Sequence, residues 1–262
     1  MKNDSGLKLQ SGKCVIGMVH LQALPTAPMY KEPYSNIFAR AREDLLALQD
    51  GGADAAIIEN FHDTPYCTDC GAETLVAMAN IVTRLREVAT LPLGVNIQFG
   101  CGREEIAVAT LCGADFIRCE TFAESRGGSF GAAPAAAAAV MRAKKQLNSG
   151  CMILADVNVK HSFPVYSGQN IDASIQESMD LGADAVVVTG LITGKSPELG
   201  DIKSLKDKFP HVPVIIGSGV KSENIKDFLR HSQGVIVGTS LKNSGGHVDI
   251  GKVRELMAAA RL

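Results

Sequence analysis

An α/β fold, a single (β/α)8 TIM barrel, is the architecture this sequence predicts, and three observations carry that expectation. Apolar runs of strand length alternate eight times with helical patterns from one end of the chain to the other. The runs are nearly continuous in apolar residues, which marks parallel strands buried on both faces. The 262 residues match the roughly 250 that such a barrel needs. No stretch of distinct composition divides them, so 1–262 reads as one domain with a polar extension over 1–12.

The strands are expected at 14–20, 55–60, 93–98, 116–120, 151–158, 185–189, 214–217 and 234–238. The first helix, over 37–49, places Ile37, Ala41, Leu45 and Leu48 on one stripe, the spacing of an amphipathic helix facing a core. The remaining helices are expected over 72–88, 103–111, 135–147, 171–181, 201–208, 223–230 and 248–260, with Ser222 as the cap of the seventh. Gly-Ala-Asp recurs at 52–54, 113–115 and 182–184, each time between a helix and the next strand. Glycine there ends a helix in a left-handed turn, so the repeat is read as architecture on the face away from the chemistry. The connections 21–34 and 121–134 are long and carry prolines and glycines respectively; both follow strands, where barrel enzymes keep their lids.

Composition narrows the function. Net charge is −2 with a pI near 6.3, and aromatic residues make up 5% with no Trp. A nucleic-acid binder needs a basic footprint and a stacking platform, and both are missing. No stretch approaches the 18 or so apolar residues of a membrane span, and the opening residues lack the apolar run of a secretory signal. A cytoplasmic location without membrane insertion is therefore expected. Seven cysteines, an odd number set mostly within apolar runs, read as reduced thiols.

Two apolar runs near the end of the chain, Val214–Ile216 and 235–237, each stop at small residues: Gly217-Ser218-Gly219 and Gly238-Thr239-Ser240. Small residues at a strand end let the backbone approach a ligand and aim its N–H groups outward. Two such turns after the seventh and eighth strands are where a barrel binds phosphate, so a small phosphorylated molecule is the expected partner. Side-chain alternation then collects polar residues at the same mouth. Asp156, Asn158 and Lys160 share a face of the fifth strand, Arg118 and Glu120 of the fourth, and Asn96 and Gln98 of the third; His20 ends the first and Glu59-Asn60 the second. Asp156, Lys160, Glu59, Glu120 and His20 are the candidate catalytic groups, and Asn60, Asn96, Arg118 and Asn158 the candidate substrate contacts.

Several chemistries fit this set. Glu120 and Asp156 could divide acid and base work if burial raises one carboxyl. Lys160 could form a Schiff base once desolvated. His20, Glu59 and Asp156 could hold a divalent ion, although no cofactor motif is identified. Cys67 and Cys70 have zinc-like spacing without a second ligand pair, and read as two thiols in a loop. The run T-G-L-I-T-G-K-S from Thr189 imitates a nucleotide-binding loop but lacks its first glycine, which leaves Lys195 at most an anion contact and Ser196-Pro197 a helix start.

The chain also resembles the BtpA family. The likeness runs from about Val15 to Met257 through Ile16-Gly17-Met18-Val19-His20-Leu21 with Ala23-Leu24-Pro25, then Glu59-Asn60-Phe61 with Asp63 and Pro65. It continues through 155–161 (A-D-V-N-V-K-H), Thr189-Gly190, Thr193-Gly194, Gly217-Ser218-Gly219-Val220 with Glu223-Asn224, and 237–242 (V-G-T-S-L-K). The loop 124–130 departs from the Thr-Asp-Gln-Gly-like run expected there. The resemblance implies a TIM-barrel-like fold and, from the family's name, a part in photosystem I accumulation, while members also occur in organisms without photosynthesis. The resemblance supplies no reaction; from the strand-end residues themselves, the expectation is an enzyme acting on a sugar-phosphate-like metabolite by lyase or isomerase chemistry. The alternatives are a non-catalytic assembly or stability factor and a metal-dependent hydrolase. Pairing through the outer helices makes a homo-oligomer the expected assembly.

Overall fold

The computed structural model describes residues 7, 9, 12–190 and 197–261. Its strands in chain order are β1 (Cys14–His20), β2 (Ala55–Glu59), β3 (Leu93–Asn96), β4 (Phe116–Cys119), β5 (Arg126–Gly128), β6 (Gly131–Ala133), β7 (Met152–Val157), β8 (Phe163–Pro164), β9 (Ala185–Val188), β10 (Val214–Ile216) and β11 (Gly234–Val237). The helices are α1 (Tyr34–Asp50), α2 (Ala72–Arg86), α3 (Gly102–Cys112), α4 (Ala137–Gln146), α5 (Ile171–Asp180), α6 (Leu199–Lys208), α7 (Ile225–His231) and α8 (Ile250–Arg261). Eight strands close a parallel barrel in the order β1-β11-β10-β9-β7-β4-β3-β2. The (β/α)8 TIM barrel expected from the pattern is the fold.

Burial divides each strand between two cores. Ile16, Ile57, Phe116, Leu154, Val187, Ile215 and Ile236 fill the barrel interior, while Val15, Val19, Ile58, Val95 and Ile117 face the helices. Such a strand cannot alternate in polarity, because both faces exclude water. Gly94 answers Phe116 across the interior: a Cβ on it would lie 2.2 Å from the Phe116 ring. Leu7 and Leu9 join the interior cluster, so the segment read as a polar extension buries two leucines at the barrel's amino end.

The Gly-Ala-Asp repeat does more than end helices. Gly52, Gly113 and Gly182 take left-handed φ of 91°, 78° and 100°. The aspartate that follows each accepts an N–H from the first or second residue of the preceding barrel strand: Asp54 from Val15, Asp115 from Leu93 and Asp184 from Ile153, at 2.8 to 2.9 Å. Gln233 accepts from Val214 in the same way. These bonds tie neighbouring strands at the end opposite the candidate site.

The connection 121–134 is not an open loop. β5 and β6 form a hairpin within it, and β8 from the connection after β7 joins as a third antiparallel strand. Buried Arg126 fastens them by donating to Ser162 Oγ at 2.9 Å, to the Ser162 carbonyl at 3.1 Å and to Asn158 Oδ1 at 3.2 Å. Three-residue strands of glycine and alanine carry no periodic signal, so nothing in the pattern exposed this sheet. The seventh helix also starts later than expected. Asn224, not Ser222, precedes it, and its side chain bridges the Gly219 carbonyl at 3.0 Å and the Lys221 N–H at 2.8 Å. Among the described residues no helix is long and apolar enough to cross a membrane.

Candidate active site at the carboxyl end of the barrel

Strand ends decide which side chains reach the barrel mouth. Inward positions continue as His20 on β1, Glu59 on β2, Arg118 and then Glu120 past β4, and Asp156 on β7. Beyond β10 and β11 come the two small-residue turns. One cavity of about 260 Å³ is lined by His20, Glu59, Arg118 and Lys160 together with Gly217-Ser218-Gly219 and Gly238-Thr239-Ser240. Met18 and Ile236 floor it, and Phe61, Val220 and Lys221 complete its wall.

The turns are shaped by close contact. A Cβ on Gly217 would lie 2.6 Å from Val187 Cγ1 and 2.8 Å from Thr189 Cγ2, and one on Gly238 would lie 3.1 Å from His20 Cε1. Gly219 adopts φ 72°, and its N–H has no acceptor among the described residues. Ser218 Oγ accepts from the Gly190 N–H at 2.9 Å, and Ser240 donates to the Val220 carbonyl at 2.7 Å, which joins the two turns. Thr239–Leu241 closes as a short 3-10 helix.

Behind the cavity lies a set of buried charges. Arg118 holds Asp156 bidentately, at 2.9 Å through Nε and 2.8 Å through Nη2, with both side chains almost fully buried. Asp156 therefore sits under the mouth as the counter-ion of Arg118 rather than on the cavity wall. His20 Nε2 meets Glu59 Oε2 at 3.3 Å while its ring stacks on Phe61 at 4.1 Å, and the Gln98 amide donates to the other Glu59 oxygen. Burial pushes Glu59 up, but the His20 hydrogen bond and the charges of Arg118 and Lys160 overcome it and hold the carboxyl below its ordinary range. Burial holds His20 below the usual imidazole value, seconded by Lys242 and Lys160. A neutral ring donating from Nε2 to an ionised Glu59 follows.

Glu120 goes the other way. Burial, reinforced by Asp156 and Glu59, pushes its carboxyl up to about 8 against the pull of Arg118 and Lys160. Lys160 is lowered by burial and then by Arg118, with the three carboxylates opposing. Glu120 does not line the cavity and lies buried beneath it, so the mouth and the layer under it together hold a protonated acid, an ionised base and an amine shifted toward its neutral form. Two carboxyls pushed in opposite directions are what acid and base work at one pH requires.

Four expectations need correction. Asn60 follows Glu59 by one residue and so faces out of the barrel, where it accepts from Gln98 N at 2.7 Å and donates to Asp63 at 3.0 Å. Asn96 is fully buried and donates to Glu105 Oε1 at 3.1 Å and to the Arg118 carbonyl at 2.9 Å, tying β3 to α3 and β4. Asn158 does not continue the line of Asp156, because β7 ends at Val157 and the backbone turns to φ 50°. It lies exposed, beside a second hollow lined by Thr189 and Asp172. Finally, His20, Glu59 and Asp156 are not arranged to share a cation: both Asp156 oxygens engage Arg118, and among the described residues no group of three or more His, Cys, Asp or Glu is placed to hold one. Thr193, Gly194, Lys195 and Ser196 lie outside the described residues.

Sequence reasoning assigned no role to three residues. Phe61 orients His20, and Asn224 pins the first turn. Glu105, one turn into α3, is buried with its carboxyl raised by desolvation. A glutamate in a helix's first turn is ordinary, so only the fold reveals that this one is enclosed.

The sequence profile described as the BtpA family matches residues 11–262. An uncharacterized protein of Archaeoglobus fulgidus is 36% identical over 95% of this chain and 99% of its own length. The photosystem I biogenesis protein BtpA of Synechocystis is 34% identical over 90% of this chain and 83% of its own. Among solved structures, N-(5'-phosphoribosyl)anthranilate isomerase from Pyrococcus furiosus superposes with a TM-score of 0.56 at 16% identity, covering 95% of this chain and 98% of its own. That likeness is one of fold.

Proposed function

For a chain that belongs to the BtpA family, we propose an enzyme that binds a small phosphorylated metabolite and carries out acid–base chemistry of the lyase or isomerase kind. One observation carries this reading: the two glycine turns open into the same cavity as His20, Glu59, Arg118 and Lys160. The phosphate rests on Gly217-Ser218-Gly219 and Gly238-Thr239-Ser240, where backbone N–H groups and Lys221 supply positive potential. Glu59 takes a proton from the bound metabolite with His20 holding its orientation, and Glu120, buried beneath the cavity, returns one through Lys160 on its wall. Lys160 acts as an amine toward a carbonyl or as a second proton carrier. Arg118, fixed by Asp156, stabilises the negative charge that develops on substrate oxygen. The Pyrococcus furiosus isomerase, similar in fold alone, acts by its name on a phosphoribosyl compound, which supports the substrate class.

The test is thermal stabilisation by inorganic phosphate and by sugar phosphates against their dephosphorylated counterparts, at constant ionic strength. A ligand at 100 times its Kd adds about 2.7 kcal/mol to folding stability. Stabilisation by phosphorylated compounds alone is the expected result, and equal or no stabilisation sinks the reading. A second reading, a non-catalytic assembly factor, draws support from the name of the Synechocystis relative. It predicts that Lys160→Met leaves complementation of a deletion strain intact, whereas the enzyme reading predicts its loss.

A further inference from the structure

One buried acid takes no part in the proposed chemistry, yet it holds the end of β3, the strand between those that carry Glu59 and Arg118. Glu105, in the first turn of α3, is only 2% exposed. Its Oε1 accepts the Ile97 N–H at 2.8 Å and the Asn96 side-chain amide at 3.1 Å. The same amide nitrogen donates to the Arg118 carbonyl at 2.9 Å, so two acceptors fix which end of the Asn96 amide is nitrogen. Two atoms of this contact are left over. Glu105 Oε2 and Asn96 Oδ1 are each buried with no hydrogen-bond partner among the described residues. Among those residues no ion pair includes Glu105 either.

We propose that Glu105 is a positioning residue, a neutral acid that donates its proton to the Asn96 amide oxygen, so that acid and amide clasp each other by two opposed hydrogen bonds. Enclosing an ionised carboxylate with no cation beside it costs far more than enclosing the acid. Protonation turns Oε2 from an unpaired acceptor into a donor, and Asn96 Oδ1 is an acceptor without a donor on the group that Glu105 already binds. One proton satisfies both atoms. Burial pushes the Glu105 carboxyl well above its ordinary range, against the hydrogen bonds from Ile97 and Asn96. The clasp acts on the site along two short routes. Ile97 leads directly to Gln98, whose amide donates to Glu59, and Asn96 reaches the backbone of Arg118, whose guanidinium holds Asp156. The inference rests on the proposed roles of Glu59 and Arg118, but on nothing that the cavity binds.

The experiment compares the whole chain with Glu105→Gln and Glu105→Leu. Glutamine reproduces the clasp, its amide nitrogen donating where the acid proton did and its oxygen accepting from Ile97 and Asn96. Glu105→Gln is therefore expected to keep the melting temperature and the His20 titration, read from imidazole NMR resonances. The infrared difference between wild type and Glu105→Gln at neutral pH should show the carbonyl stretch of a protonated carboxyl. In Glu105→Leu the Ile97 tie is lost and the His20 titration should move, because Gln98 no longer holds Glu59; if that variant does not fold, the infrared band and the glutamine rescue decide. A carboxylate band in the difference spectrum, a large drop in melting temperature for Glu105→Gln, or an unmoved His20 titration in a folded Glu105→Leu overturns the proposal. None of these readouts involves a ligand, so failure of the phosphate screen and failure of the clasp are told apart.

Discussion

At the scale of single residues, the charged groups under the mouth fall into two kinds that substitution separates. Asp156 neutralises an otherwise enclosed guanidinium. Asp156→Asn leaves that charge uncompensated and is expected to cost about 3–5 kcal/mol in denaturant unfolding, so loss of activity there does not by itself report catalysis. Lys160 differs. Its ammonium is desolvated and pushed toward neutrality, so Lys160→Met removes a charge that burial disfavours. That variant is expected to keep or raise the melting temperature while losing turnover, measured on the substrate that the phosphate screen identifies. Glu120 gives a pH signature. Its folded value of about 8 lies above that of an unfolded carboxyl, so its contribution to stability is complete below the unfolded value and is lost as pH rises through 8. Urea unfolding of the wild type between pH 5 and 9 should therefore show a decline of a few kcal/mol relative to Glu120→Gln. A constant gap between the two would contradict the assignment. Alternation inside a strand put His20, Glu59, Arg118 and Asp156 on the inner face, although Asp156, like Glu120 just past β4, lies beneath the cavity rather than on its wall. Asn60, Asn96 and Asn158 were misread where the strand stops or the face flips, since polarity near a strand end does not say which way the side chain turns.

Among elements, the repeated Gly-Ala-Asp connections fix register at the end of the barrel away from the site. Asp115 accepts from Leu93 N and also meets Arg86 at 3.3 Å. Asp115→Ala orphans a partly buried N–H and is expected to cost about 1–3 kcal/mol in chemical denaturation, with phosphate binding unchanged because the site is at the other end. The barrel strands and helices were legible for a physical reason: a two-sided burial pattern and a one-sided stripe are each periodic over several residues. The β5–β6–β8 sheet was not, since its strands are two or three residues long and its anchor is one arginine reaching a distant loop. Arg126→Ala is expected to loosen that sheet, seen as new protease cleavage between 121 and 134 while far-UV circular dichroism stays unchanged.

Across the whole molecule, the residues that line the cavity come from opposite ends of the chain. His20 and Glu59 lie on the first two strands, and the glycine turns follow the last two. The sequence order gives no hint of this nearness; it exists because β1 pairs with β11, placing Gly17 beside Val237. The fold class was readable from the count of elements, and the cavity was readable only once that closure was assumed.

The pairing of first strand with last also has a kinetic side. A ribosome-bound chain that has emerged only through α7 holds His20, Glu59, Arg118, Lys160 and the first glycine turn but has no eighth stave, so its apolar lining faces water and the proposed anion cradle is half built. Ligand affinity should arise in a single step when the final thirty or so residues arrive, rather than growing with length.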